Sequence, residues 1–156
     1  MKFQYNDGGR KEAGFQGTTG DCVTRSIAIV TQKPYKEVYD LINELSKSEK
    51  IGKRKKKKSN ARTGVFPQLV RKLMASLGYT WIPTMHIGSG CKVHLKDGEL
   101  PTGRLLVNVS RHYTAIIDGI INDTHDPQRN TMIVENGVKR FAGRCVYGYY
   151  IDEKEY

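Results

Sequence analysis

The spacing of hydrophobic residues changes near residue 79 of the chain. Before that point, three segments repeat apolar residues every three or four positions, which is typical of one buried helix face. These segments begin at Asp21, Pro34 and Pro67, and Gly78 stands where the third helix should end. The later segments are short, rich in β-branched and aromatic residues, and separated by turn residues. They read YTWIP, RLLVNVS, HYTAII, IINDT and CVYGYYI. This order predicts an α+β fold, with N-terminal helices packed on a C-terminal antiparallel sheet.

The dipeptide Asp118-Gly119 predicts a tight hairpin between HYTAII and IINDT. A two-residue turn requires positive φ at both central residues, which Asp and Gly tolerate. With such a turn, position 112 faces position 125, and Asp123 shares a face with His112 as its diagonal neighbour.

Length and composition favour one globular domain spanning 1–156. The chain has 156 residues, of which 38% are hydrophobic and 27% are charged. We find no internal repeat, no linker and no apolar run of the roughly 18 residues that a membrane span needs. The amino terminus has no apolar stretch typical of a secretory signal. We therefore expect a cytoplasmic protein that does not engage membranes, in the host cytoplasm if the chain is phage-encoded.

A strongly basic segment carries much of the formal charge of +10. It runs over about 47–62, has almost no apolar content and is expected to form a mobile surface loop. Its lysines, Lys53 to Lys58, could neutralise the phosphates of a nucleic acid or contact an acidic host protein. The alternative is a solvated loop that only attracts anions.

Three cysteines, at positions 22, 91 and 145, are odd in number and far apart, which argues against a disulfide framework. Free thiols or metal ligands remain. A metal site could use His86, Cys91, His94 and Cys145, but the paired C-x-x-C hooks of structural zinc sites are absent. We therefore expect no metal, and interpret IGSGCKVH as a glycine-rich loop over one end of a cleft.

The segment FQGTTGDCVTRSIAIV places Cys22 at the predicted start of the first helix. Unpaired backbone N–H groups and the helix dipole would favour its thiolate. Gln16 could fold back across the Gly/Thr turn to donate toward an oxyanion. His112 begins a strand and could act as the base, oriented by a carboxylate from the returning strand. Asp123 shares a face with His112, whereas Asp126 would point away by strict alternation but could turn inward if the strand ended at residue 124. The sequence leaves both carboxylates open for this role.

These residues resemble the papain-like cysteine peptidase superfamily, most closely the leader peptidases that mature double-glycine peptides. In that family a Gln, a Cys, a His and an Asp followed by Pro occur in this order, as they do at 16, 22, 112 and 126–127. The resemblance covers 16–30 and 112–127. It implies a papain-like fold with Cys22 as nucleophile, His112 as base, Gln16 as oxyanion donor and Asp126 as orienting carboxylate. The step from His112 to Asp126 is shorter than usual in the leader peptidases, which keeps Asp123 in contention.

A second resemblance runs over nearly the whole chain. The stretches YNDGGR, TTGDCVTRSIAI, IGSGCKVH and HYTAIIDGIINDTHDP resemble a group of phage and prophage proteins of about this length.

Two functions therefore compete. The first is a thiol-dependent hydrolase that cleaves a peptide or isopeptide bond of a peptide or protein substrate through a Cys-His-Asp triad, with no cofactor. The second is a non-catalytic basic phage accessory protein, in which Cys22 is merely a small buried residue and His112 a satisfied strand-end histidine.

Overall fold

The computed structural model describes residues 1–17, 19–129 and 131–156 and has an α+β fold. Its elements, in chain order, are β1 (Lys2–Tyr5), α1 (Cys22–Thr31), α2 (Tyr35–Ser46), α3 (Pro67–Ser76), β2 (Tyr79–Pro83), β3 (Arg104–Val109), β4 (His112–Ile117), β5 (Ile120–Asp123), β6 (Thr131–Glu135), β7 (Val138–Ala142) and β8 (Val146–Asp152). All three predicted helices and all five predicted strands are present, which confirms the α+β prediction.

One mixed sheet organises the described part of the chain. Its strand order is β1-β5-β4-β3-β8-β2, and every neighbouring pair is antiparallel except β1 with β5. The β4–β5 turn has positive φ at both Asp118 and Gly119 (46° and 79°), so the predicted tight hairpin is confirmed. Its register aligns Ala115 with Asn122, which continues to Thr114 opposite Asp123.

The helices cover one face of this sheet. Helix α1 packs against β3, β4 and β5 and also against α2, so nearly all of its side chains are buried, rather than a single stripe. The cluster on this face includes Val23, Ile27, Val38, Leu73, Leu106 and Ala115. A second cluster includes Leu95, Leu105, Val107, Ile116 and Ile121, packed with Met1 and Leu100. Burial on both sides fixes the sheet and therefore the strand ends that carry the site.

Three strands were not predicted from the sequence. β1 adds a parallel strand at one edge of the sheet, and β6 with β7 forms a separate hairpin around Asn136-Gly137. β1 has only four residues, all of them exposed, and the polar–apolar alternation of its sequence KFQY is a weak strand signal over so short a run. Among the residues that the structure describes, none of the helices combines the length and the hydropathy needed to cross a bilayer.

Candidate functional site

Cys22 is the first residue of α1 and is half-buried. The first intrahelical bond runs from the N–H of Arg25 to the carbonyl of Asp21, so the N–H groups of the opening turn have no intrahelical acceptor. Asp21, the residue before α1, makes no side-chain capping hydrogen bond, because its carboxylate is engaged by Arg10, Arg25 and Tyr35. The uncapped helix end therefore leaves backbone donors beside the Cys22 sulfur.

His112 and Cys22 meet in the structure although 90 positions separate them in the chain. Burial alone would raise the pKa of the Cys22 thiol. Hydrogen bonds with His112 and the Tyr113 backbone, together with the charges of His112 and Arg25, outweigh burial and lower that pKa overall. The site thus favours a thiolate at Cys22.

The imidazole of His112 is held by Asp123. His112 Nε2 lies 2.7 Å from Asp123 Oδ2. Burial alone would lower the pKa of His112, but the hydrogen bonds with Asp123 and Cys22 and their charges raise it to about 9. The pKa of Cys22 is lowered and that of His112 is raised, and these are the directions of shift that favour a thiolate–imidazolium pair.

Asp123 is itself fixed by several donors. Thr114 Oγ1 donates to Oδ2 at 2.7 Å, and the Thr124 N–H donates to Oδ1 at 2.7 Å. Burial alone would raise the pKa of Asp123, but His112, Thr114 and the Thr124 backbone lower it to about 2. The carboxylate is ionised, and these donors hold it in one position, which fixes the orientation of the His112 ring.

Asp126, the orienting carboxylate implied by the leader-peptidase resemblance, lies elsewhere. It is exposed and accepts hydrogen bonds from the backbone and side-chain amides of Gln128, at 3.0 to 3.1 Å. The structure brings Asp123 to His112 instead, because β5 extends to Asp123 and keeps its alternation. Asp126 follows the end of the strand.

Gln16 also lies apart from this cluster. Its side chain is exposed, and its backbone carbonyl accepts a hydrogen bond from the Arg62 guanidinium. It does not line the groove that contains Cys22 and His112. The structure therefore gives no geometric support for an oxyanion role of Gln16. Along the chain, the hydrogen-bond donors nearest to Cys22 are the backbone N–H groups at the start of α1.

Arg25 links Asp123 to a second buried carboxylate, and sequence reasoning missed it. Its guanidinium donates to Asp123 Oδ1 at 3.1 Å and to Asp21, while Arg10 lies 3.0 Å from Asp21. Charges thus alternate from Arg10 through Asp21, Arg25 and Asp123. The Arg25 side chain is only 4% exposed. Removing one member of such a buried network costs about 3–5 kcal/mol, because it leaves an uncompensated charge.

The N-terminal turn YNDGGR packs on this network. Gly8 has a φ of +69°, and a Cβ there would lie 2.8 Å from the carbonyl oxygen of Arg25. Only glycine permits this approach, which brings Arg10 next to Asp21. The available sequence signal was Arg25, about one helical turn after Cys22 and four residues after Asp21. Its second partner, Asp123, is remote in the chain, so the link between the two carboxylates could not be read from the sequence.

A groove of about 530 Å³ gives access to the pair. Its walls come from the start of α1, the segment 63–67, the β3–β4 turn and Tyr147 of β8. Cys22 and His112 both line it.

The basic loop at 47–62 is anchored at several points. Lys55 forms an ion pair with Glu49 at 2.7 Å. Ala61 is fully buried, and the Ala61 N–H donates to the side-chain oxygen of Asn43. Lys53, Arg54 and 56–58 are exposed. Nucleic-acid or protein binding by Lys53 to Lys58 stays a prediction.

The expectation for the other two cysteines is wrong, because Cys91 and Cys145 form a disulfide. The loop after β2 runs back beside the start of β8: Leu95 N–H donates to the Arg144 carbonyl at 2.7 Å, and Val146 N–H to the Val93 carbonyl at 2.9 Å. This return aligns the two sulfurs, and it depends on tertiary contacts that cysteine counting cannot show. Among the described residues, no cluster of three or more His, Cys, Asp or Glu side chains is placed to hold a metal.

Comparison with known proteins finds no matching family model, no similar curated protein and no similar solved structure. Nothing in these comparisons bears on the resemblance to papain-like peptidases.

Proposed function

We propose that this protein is a thiol-dependent hydrolase of papain-like type, in which Cys22, His112 and Asp123 act as nucleophile, proton carrier and orienting carboxylate. The observation that carries the proposal is the contact between a helix-initial thiol of lowered pKa and an imidazole that a buried carboxylate holds at 2.7 Å. A cysteine that merely fills the core has no need of such partners.

The chemistry proceeds in two halves. The Cys22 sulfur attacks the acyl carbon of a peptide or isopeptide bond, and the developing oxyanion accepts hydrogen bonds from N–H groups at the start of α1. The C–N bond breaks as His112 gives its proton to the leaving amine, which leaves a thioester on Cys22. Water then attacks the thioester carbon, His112 accepts the water's proton, and the C–S bond breaks to release the acid. Asp123 keeps the ring in position throughout.

The papain-like resemblance agrees with this arrangement in part. It placed the nucleophile at Cys22 and the base at His112, and both line the groove. It differs in the carboxylate, Asp123 rather than Asp126, and in the exposed position of Gln16.

Labelling under non-reducing conditions tests the proposal. Iodoacetamide should alkylate wild-type protein at Cys22 faster than it alkylates a free cysteine peptide at pH 6, because the pKa of this thiol is lowered. Cys22→Ala should abolish labelling while preserving the circular dichroism spectrum. A mixture of randomised peptides should be cleaved by the wild type and not by Cys22→Ala, as read by mass spectrometry of new termini.

The matched control is Cys91→Ser/Cys145→Ser, which removes the other two sulfurs and keeps Cys22. It should retain labelling and cleavage. Alkylation of wild-type Cys22 no faster than the peptide thiol, together with no cleavage, would contradict the proposal.

A further inference from the structure

A second concave site adjoins the groove on the other side of His112. This pocket of about 430 Å³, here the arginine pocket, is lined by Ser110, Arg111, His112, His125, Arg129 and Arg144. Arg111 and His112 line both the arginine pocket and the Cys22 groove, so the two spaces are adjacent. The mechanism proposed above uses only His112 from this set.

The arginine pocket concentrates the positive charge of three arginines, while its two histidines face the Asp123 carboxylate, His112 at 2.7 Å and His125 at 4.0 Å. Within the described residues, no acidic side chain lies at ion-pair distance from Arg111, Arg129 or Arg144. Burial, together with the nearby charge of Arg129, lowers the pKa of the Arg144 guanidinium. Like charges held this close are unfavourable, and an anion between them would relieve the repulsion.

Arg144 is built into the floor of this pocket. It is only 8% exposed, and its guanidinium donates to the carbonyls of Pro127, at 3.1 Å, and Ser110. Its Nε is buried and has no hydrogen-bond partner among the described residues. Arg144 therefore contributes a fixed positive charge beneath the pocket, held in place by backbone carbonyls.

The rim carries three further cationic or protonatable groups. Arg111 holds a left-handed φ of 56°, which fixes its backbone at the border between pocket and groove. The ring of His125 lies 5.0 Å from that of His112, and Arg129 is exposed at the edge. Guanidinium groups match a carboxylate through paired N–H donors.

We propose that the arginine pocket binds a carboxylate of the substrate peptide, either an acidic side chain or a chain terminus, close to the bond that Cys22 attacks. This inference rests on the proposed function, since it treats the groove as the place where the peptide lies. Such a site makes the protein selective for acidic substrates at the groove. The formal net charge by itself would attract anions to the whole surface without this selectivity.

Two reagents that differ only in charge test this selectivity. N-bromoacetyl-β-alanine and N-bromoacetyl-β-alaninamide each alkylate a thiolate by losing bromide, and they carry a carboxylate or a carboxamide at the far end. The ratio of their second-order rates at Cys22, measured by mass spectrometry, is independent of the thiolate fraction. We expect the acid to react about tenfold faster relative to the amide than it does with a free cysteine peptide, the effect of one charged hydrogen bond.

Removing pocket charges should lower this ratio. Arg129→Gln and Arg111→Asn should each bring it close to the peptide value, and asparagine suits the left-handed backbone at position 111. The control Arg54→Gln removes the same charge from the basic loop, outside the pocket, and should leave the ratio unchanged.

Each remaining result is decisive. Equal ratios in wild type and peptide, or the same loss in Arg54→Gln, would overturn the carboxylate site while leaving the hydrolase proposal intact. A matching reagent with a phosphate terminus that reacts tenfold faster than the acid would replace carboxylate by phosphate as the ligand and overturn the inference as stated. Failure of both reagents to modify Cys22 would overturn the proposed function along with it.

Discussion

Two regions of this molecule combine cysteine with histidine, and they differ in almost everything else. At Cys22 the thiol is free, half-buried, and in contact with an imidazole whose other nitrogen is held by a carboxylate. At Cys91 the sulfur is exposed and bonded to Cys145, and the neighbouring His94 ring faces Glu99 at 3.1 Å. The same residue types form a thiol–imidazole contact in one place and a disulfide in the other.

The difference comes from the groups around each sulfur. Around Cys22, contacts with His112 and the charge of Arg25 lower the pKa of the thiol, and Asp123 raises the pKa of His112. Around Cys91, the loop after β2 returns to the start of β8 and brings a second sulfur within bonding distance. The type of a residue therefore says less about its chemistry than the charged groups and strand ends that the fold places beside it.

Breaking the Cys22–His112 contact should have the largest effect. In His112→Asn the pKa of Cys22 should rise toward its ordinary value, because the hydrogen bond and positive charge that lower it are gone. Peptide cleavage should fall by about 10² to 10⁴, the usual contribution of a general acid–base group. Alkylation rate against pH measures the first effect and peptide turnover the second.

The pH profile of peptide cleavage by the wild-type protein supplies the reference. Cleavage should rise as Cys22 ionises below the ordinary thiol pKa and fall above a pH of about 9, where His112 loses the proton that the leaving amine needs. A profile for His112→Asn that matches the wild type would contradict the pairing.

Replacing the carboxylate that orients the ring should have an intermediate effect. Asp123→Asn should lower the pKa of His112 by about one to three units, since it removes an opposite charge in direct contact. Titration of the His112 ring protons by NMR measures the shift, and cleavage should decline with it.

Asp126→Asn is the matched control, because this carboxylate is exposed and contacts Gln128. The Asp126→Asn substitution should leave the pKa of His112 unchanged. An equal shift in both variants would return Asp126 to the role that the leader-peptidase resemblance implied.

Removing the disulfide should have the smallest effect on the site. In Cys91→Ser/Cys145→Ser, the rate at which folded protein is alkylated at Cys22 should stay within about twofold, because no charge near His112 changes. Thermal unfolding should occur at lower temperature, since a bridge across 54 residues contributes up to about 4 kcal/mol. A large loss of Cys22 reactivity at a temperature where the variant is fully folded would show that the two regions are coupled.

Much of the fold followed from local pattern. The helices beginning near Asp21, Pro34 and Pro67, and the turn at Asp118-Gly119, depend on periodicity, proline and glycine placement over a few residues. The register of that hairpin then placed Asp123 beside His112, as alternation predicted. The parallel strand β1 escaped prediction because it exists only through its pairing with β5.

For the site, the sequence by itself determined a cysteine at the start of a buried helix and a histidine at the start of a strand, since both positions follow from local spacing. Only the tertiary structure decided that they touch, that Asp123 rather than Asp126 holds the imidazole, and that Arg25 connects two buried carboxylates. It also decided that Cys91 and Cys145 are joined and that Arg111, Arg129 and Arg144 share one pocket. The physical reason is range: hydrophobic period and turn chemistry act over a few residues, whereas side chains from distant segments meet only after the core has packed.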